Sequence, residues 1–181
     1  GRGNLSFTSI NLPRLGILAD HNVDAFFAEL DKMVDLVFEQ LLERLEIQSC
    51  KKCKNYPFLM GQGIWIDSER LGPDDEVREV LKHGTLTVGF IGLAECLKAL
   101  IGKHHGESEE AQELGLKIVG FIREKADKKA AGNDMLVEIQ FSAEEPEGGY
   151  SVEEGLEFLK LAQPYVDIVQ VRSAEGDPNH P

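Results

Sequence analysis

The apolar and polar positions of this chain follow two periods, one for strands and one for helices. Residues 5 to 10, Leu-Ser-Phe-Thr-Ser-Ile, alternate as a strand does, and Asn11-Leu-Pro-Arg14 stops the strand because Pro donates nothing to a ladder. Asn22 or Asp24 can cap the helix that follows, which is predicted to run to about Ile47. Its apolar stripe, from Phe26 and Phe27 through Leu30, Val34 and Val37 to Leu45, is wide enough to face a core. Pro57 to Ile66, broken by Gly61 and Gly63, predicts a short strand or extended loop. Gly72-Pro73-Asp74-Asp75-Glu76 predicts a helix start, with Pro in the first turn and acids against the dipole. Lys82, His83 and Gly84 are expected to end that helix.

The organising stretch is His83 to Ser108. Leu86, Val88, Phe90 and Ile91 form an apolar run between Gly84 and Gly92, the pattern of a strand covered on both faces. Leu93, Leu97, Leu100 and Ile101 follow at helical spacing, so strand passes into helix directly, the half-unit of an α/β fold. Lys103, His104, His105 and Gly106 are expected to close that helix as cations and a cap. Glu107 to about Lys129 predicts another helix, buried along Leu114, Ile118, Phe121 and Ile122. Met135 to Ser142 reads as a strand, and Ser151-Val-Glu-Glu154 as a capping box. Leu156 and Leu159 continue that helix, and Val166 to Val171 is the next strand, completing a β-α-β unit. The fold class expected is α/β, an incomplete β/α barrel-like layer with mostly parallel strands and long amphipathic helices.

Composition narrows the function classes. The chain is 42% hydrophobic and 28% charged over 181 residues, which places it among globular proteins with a sizeable core. Its net charge of −13 argues against a duplex nucleic-acid partner, which requires cationic side chains at the phosphates. A nucleotide pocket stays open, because backbone amides at a helix N-terminus hold phosphate without net positive charge. No apolar run approaches the roughly 18 residues of a membrane helix, so no membrane partner is expected. An odd count of three cysteines points to the reducing cytoplasm. The chain starts on a motif without Met, and is expected to be a piece of a larger protein.

Few residues carry chemistry on their own. Cys50-Lys-Lys-Cys53 has the spacing of half a zinc site, but the remaining Cys96 lies within an apolar helix and no second pair exists. Two unconnected thiols and no bound metal are therefore expected. His83 is expected to serve a helix dipole rather than catalysis. Asn4, beside Gly3, reads from the residues alone as the cap of a turn.

Three ordered blocks give a family resemblance: Gly1 to Arg14 (Gly-Arg-Gly-Asn-Leu-Ser-Phe-Thr-Ser-Ile-Asn-Leu-Pro-Arg), Asn55 to Gly63 (Asn-Tyr-Pro-Phe-Leu-Met-Gly-Gln-Gly), and the His83–Ser108 stretch with Gly-Phe-Ile-Gly-Leu-Ala-Glu and Gly-Lys-His-His-Gly-Glu. Over residues 1 to about 125 the chain resembles the catalytic barrel of anaerobic (class III) ribonucleoside-triphosphate reductases. That resemblance implies an oxidoreductase scaffold for radical reduction of ribonucleotides, with a ribonucleoside triphosphate as partner. It implies substrate-binding roles for Asn4, at a position that faces the ribose, and for the amides near Gly92. The family's cofactors are a glycyl radical, formate as reductant, and zinc in a C-terminal region; none of these is expected here. Its members are homodimers served by a radical-SAM activating enzyme. Since neither the thiyl loop nor the glycyl-radical motif occurs in this chain, no catalytic residue is assigned, and the chain is expected to be inactive alone.

The last 50 to 60 residues resemble a second family. Val137 to Glu145, Glu147 to Gly155 and Val166 to Val171 are similar to the middle of a flavin-dependent old yellow enzyme (NADH:flavin oxidoreductase) barrel, with Gln140 where that family places an Arg beside the flavin. The expected organisation is thus a reductase-like partial barrel over 1–130 and a β-α-β unit over 131–181. A flavin oxidoreductase piece and a noncatalytic α/β piece are the alternative readings.

Overall fold

A computed structural model of the chain describes residues 3–129, 135–142 and 149–172. Four strands, β1 (Asn4–Asn11), β2 (Thr85–Ile91), β3 (Met135–Ser142) and β4 (Ile168–Arg172), lie in that order and pair in parallel throughout. Six α-helices are found among the described residues: α1 (Leu12–Leu18), α2 (Val23–Ser49), α3 (Arg78–Leu81), α4 (Leu93–Ile101), α5 (Glu109–Lys129) and α6 (Val152–Ala162). This is the parallel α/β layer that the pattern predicts.

Period-two burial sets the layers. Leu86, Val88 and Phe90 of β2 and Val137, Ile139 and Phe141 of β3 join one core cluster with Phe26, Leu30 and Val34 of α2, Ile118 and Ile122 of α5, and Phe158 of α6. Fully burying each such side chain contributes about 1.5–3 kcal/mol. Phe7, Ser9, Ile91 and Gln170 are exposed; the first three lie on the opposite face by strand register. Ion pairs tie the helices to the layer: Lys125 reaches Asp31 at 2.5 Å and Asp35 at 2.9 Å across α5 and α2. Asp167 accepts from the Val137 amide at 2.9 Å and from Arg123 at 2.5 Å, which pins β3, α5 and the start of β4 together.

Most element ends follow local chemistry. Asn22 caps α2 by accepting from the Ala25 amide, Ser108 accepts from Ala111 at the head of α5, and Ser151 with Glu154 forms the capping box of α6.

Four segments depart from the sequence pattern. Asn11 does more than end β1: its side chain accepts from the Arg14 amide and, with Pro13 in the first turn, opens α1 at once. Residues 72–77 form no helix, and α3 is a single turn, Arg78–Leu81. The backbone groups that a helix would use instead pair with residues 51–54: Cys53 and Lys54 donate to the Asp75 and Pro73 carbonyls, and the Val77 amide donates to Lys51. Asp75 also accepts from the Gly72 amide at 2.7 Å. Residues 57–63 are successive turns rather than a strand, since Met60 and Gly61 both donate to the Tyr56 carbonyl. They close a second, smaller cluster of Cys53, Met60, Trp65, Val77, Val80 and Leu81.

The fourth departure concerns the histidine pair. α4 ends at Ile101, and its glycine cap is Gly102, left-handed at φ +77°, not Gly106. His104 and His105 therefore lie outside the helix, each only 2% exposed, and do not act as terminal cations.

A cleft at the carboxyl ends of the strands

The cleft begins with a forced glycine. β2 ends at Ile91 and α4 starts at Leu93, so Gly92 makes the whole turn at φ +72°. A β-carbon there would stand 2.2 Å from Pro13 Cγ, so only glycine fits. Gly92 offers no side chain to cap α4, and its carbonyl takes the first helical bond from Cys96. The amides of Leu93 and Ala94 thus head the helix beside the cleft.

A cleft of ≈ 330 Å³ opens here, lined by Pro13, residues 91–95, His105, Gln140, Phe141, Ser142 and Tyr150. It lies off the carboxyl ends of β1 to β3, where open α/β sheets bind ligands. Pro13, Ile91, Phe141 and Tyr150 give it apolar walls, while Glu95, His105, Gln140 and Ser142 supply polar groups. No Lys or Arg lines it among the described residues. Gln140, on β3, donates from Nε2 to Ser9 Oγ at 3.1 Å. Tyr150 donates to the Ser142 carbonyl at 3.2 Å.

The two histidines at its side differ in kind. His104 is satisfied: its Nδ1 accepts from the Gly106 amide at 3.0 Å, and its own backbone amide donates to Glu107 at 2.7 Å. That bond fixes the His104 tautomer, with Nδ1 as acceptor. His105 packs among rings, 4.5 Å from the Phe158 centroid, 4.8 Å from Tyr150 and 5.8 Å from Phe141. Neither of its ring nitrogens has a partner among the described residues. Desolvation in this apolar nest, with His104 adding to it, holds its pKa down to about 4, so the ring is uncharged at neutral pH. It also borders a second, acidic cleft with Glu107, Glu109, Glu154 and Glu157.

Of the two residues assigned to substrate by the sequence, Gly92 lies in the main cleft and Asn4 does not. Asn4 opens β1, opposite Thr85, whereas Gly92 follows the far end of β2. The seven residues of β2 separate them, roughly 23 Å at ~3.3 Å per residue. Asn4 is exposed in a shallow pocket with Leu5, Ser6, Phe7 and Arg44. Arg44 there is held by Ser6 and Thr8 hydroxyls at 3.3 and 3.2 Å and by the Phe7 carbonyl at 3.1 Å. His105, Glu95 and Tyr150 of the cleft carry no sequence signal of their own, though Gly102 as an alternative cap would have freed the histidine pair from α4.

The other candidates fall elsewhere. Cys50 is exposed at the end of α2, in contact with Glu46 and Arg78, while Cys53 is buried in the smaller cluster. Arg78 grips Glu46 through two bonds of 2.6 and 2.8 Å. Cys96 is fully buried against Gly16, and desolvation pushes its thiol up to about 12. His83 donates from Nε2 to the Asp67 carboxylate at 2.9 Å, so it serves a loop contact rather than the end of a long helix. No group of three or more His, Cys, Asp or Glu able to hold a metal occurs among the described residues. No described helix is long and apolar enough to cross a membrane.

Known proteins resemble this chain along one line. The family model for anaerobic ribonucleoside-triphosphate reductase matches residues 1–145. The reductase of Salmonella typhimurium is 34% identical over 131 residues, and that of Escherichia coli 32% over 131, each covering 71% of this chain. The chain spans only 18% of the length of either relative. Among solved structures, an anaerobic ribonucleotide reductase superposes with a TM-score of 0.57 at 19% identity, over 76% of this chain and 20% of its own. The Thermotoga maritima enzyme with dATP in its specificity site gives 0.56 at 21% identity, over 76% of this chain and 22% of its own. At that identity the structures establish the shared fold. The family match runs through β3, the first strand assigned to the flavin oxidoreductase resemblance, which gains no support.

Proposed function

Because the chain belongs to the anaerobic ribonucleoside-triphosphate reductase family, we propose that it is part of the nucleotide-handling scaffold of a ribonucleotide-reducing oxidoreductase. The observation that carries this is the family match over residues 1–145, which takes in β1, β2, α4 and the glycine turn of the cleft. Gly92 contributes the backbone approach to substrate in the cleft, and Asn4 contributes a separate polar contact at the other end of the sheet. The chain is organised as the reductase-like partial barrel 1–130 and the β-α-β unit 131–181, which share one sheet through β2 and β3.

By itself the chain does not turn over. Cys96, its most enclosed thiol, is sealed from any radical partner and is kept protonated by burial. The glycyl radical, formate, zinc, a second subunit and the activating enzyme belong to the complete cytoplasmic assembly. Incubating the chain anaerobically with labelled ribonucleoside triphosphate, formate and an activating enzyme is expected to yield no deoxynucleotide above a blank. Equilibrium dialysis with the same triphosphate should show weak binding that Gly92→Ala abolishes. Turnover lost in Cys96→Ser would overturn the scaffold reading, and absence of any nucleotide binding would overturn the nucleotide role.

A further inference from the structure

We propose that the cleft beside α4 binds the uncharged nucleoside portion of its ligand, with the His105 imidazole as the group that recognises it and the phosphates left outside. This deepens the nucleotide reading above and rests on it. Three observations that do not depend on family converge on the point. First, His105 is 98% buried by its 2% exposure, lines the cleft, and leaves both ring nitrogens unpaired among the described residues. A buried donor and acceptor without partners are unfavourable, and a ligand in the cleft satisfies one of them. Second, the charge is wrong for phosphate. Among the described residues the cleft has no Lys or Arg and carries the Glu95 carboxylate, on a chain of net charge −13. A triphosphate would meet that carboxylate with only the head of α4 to offset it.

Third, the walls suit a ring with polar edges. Phe141 and Tyr150 offer aromatic surface at one side and Pro13 and Ile91 aliphatic surface at the other. Glu95 accepts from sugar hydroxyls, Gln140 offers an amide, and the leading amides of α4 donate to a carbonyl or hydroxyl oxygen. An uncharged imidazole presents one donor and one acceptor, which matches the edge of a base better than it matches an oxyanion. One ring nitrogen bonds the ligand, and the other stays enclosed in the wall that His105 forms between this cleft and the acidic one.

The test compares adenosine, uridine, inorganic tripolyphosphate and ATP on the full chain and on His105→Phe, by calorimetry and by nitrogen NMR of the histidine rings. The Phe ring keeps the packing against Phe158 and Tyr150 and removes both nitrogens, and thermal unfolding checks that the variant is folded. We expect a nucleoside to bind the parent chain, to move the His105 resonances, and to lose at least tenfold in affinity in His105→Phe, while tripolyphosphate leaves those resonances in place. Nucleoside binding that His105→Phe leaves unchanged overturns the inference, as does tripolyphosphate binding at His105, or the absence of nucleoside binding. ATP binding that survives in the variant, with no nucleoside binding, sinks this assignment and leaves the nucleotide reading standing. Failure of ATP as well as the nucleosides sinks both.

Discussion

Gln140 of β3 bonds Ser9 of β1 at 3.1 Å, reaching diagonally across β2, where Gly89, the partner of Ser9, puts no side chain in the way. A β-carbon at Gly89 would lie 2.9 Å from Ser9 Oγ, inside normal contact. The bond therefore joins first and third strands, which lie on opposite sides of the change in sequence character near residue 130. We predict that Gly89→Ala costs about 1–3 kcal/mol by overpacking, whereas Gln140→Ala costs about 0.5–1.5 kcal/mol by loss of one exposed-face hydrogen bond. Urea unfolding of the two variants decides this; a Gly89→Ala chain as stable as the parent would show that the strands do not approach so closely.

Leu97 and Lys98 are neighbours on α4 with opposite fates. Leu97 is fully buried in the main cluster, while Lys98 is exposed with Glu107 at 3.9 Å. Leu97→Ala is expected to cost about 2–5 kcal/mol through the cavity it leaves, and Lys98→Ala under about 0.5 kcal/mol. Equal losses in denaturant midpoints would mean the helix is rotated from the phase described.

Stability should fall with acid through His105. Its folded pKa, about 4, lies below the ordinary value of 6.5, so between those limits the unfolded chain binds the extra proton. Stability is complete above pH 6.5 and is lost as pH drops toward 4; by pH 5 this one group accounts for roughly 2 kcal/mol. Glu107 and Glu154, whose carboxyls are held low by backbone amides, add losses at lower pH. Subtracting the pH profile of His105→Phe isolates the histidine contribution. A profile identical to the parent between pH 7 and 5 would show that the ring takes up its proton as readily in the folded chain as in the unfolded one.

The three thiols should react in order of exposure. Cys50 is exposed, Cys53 is 4% exposed and Cys96 is fully buried with its pKa pushed up to about 12. Since the thiolate is the reactive form, brief treatment with iodoacetamide at neutral pH is expected to label Cys50 alone. Mass spectrometry that finds Cys96 labelled before denaturant is added would contradict its burial.

Cys50 and Cys53 sit in different surroundings, one at the solvent-facing end of α2 and one inside the small cluster. We predict that they hold no structural zinc. A structural zinc contributes on the order of 10 kcal/mol of folding free energy, so chelation with EDTA would then collapse helicity. Unchanged circular dichroism and substoichiometric zinc in the purified protein are the expected results.

The sequence alone determined whatever a few consecutive residues decide. Periodicity placed β1, β2, β3 and the long helices α2 and α5, because a buried stripe must recur at the period of its element. Asn22 and the Ser151–Glu154 box fixed helix starts, because a cap acts over three residues. The family blocks likewise marked Gly92, whose turn requires glycine. Tertiary structure decided what depends on distant partners. Residues 72–77 have helix-start chemistry, yet their carbonyls pair with the chain near Cys53, which no local pattern announces. His104 and His105 read identically in the sequence, but one finds the Gly106 amide and the other only rings from β3, α6 and Tyr150. The separation of Asn4 from Gly92 also came from the fold, since parallel pairing sets the start of one strand and the end of its neighbour at opposite ends of the sheet.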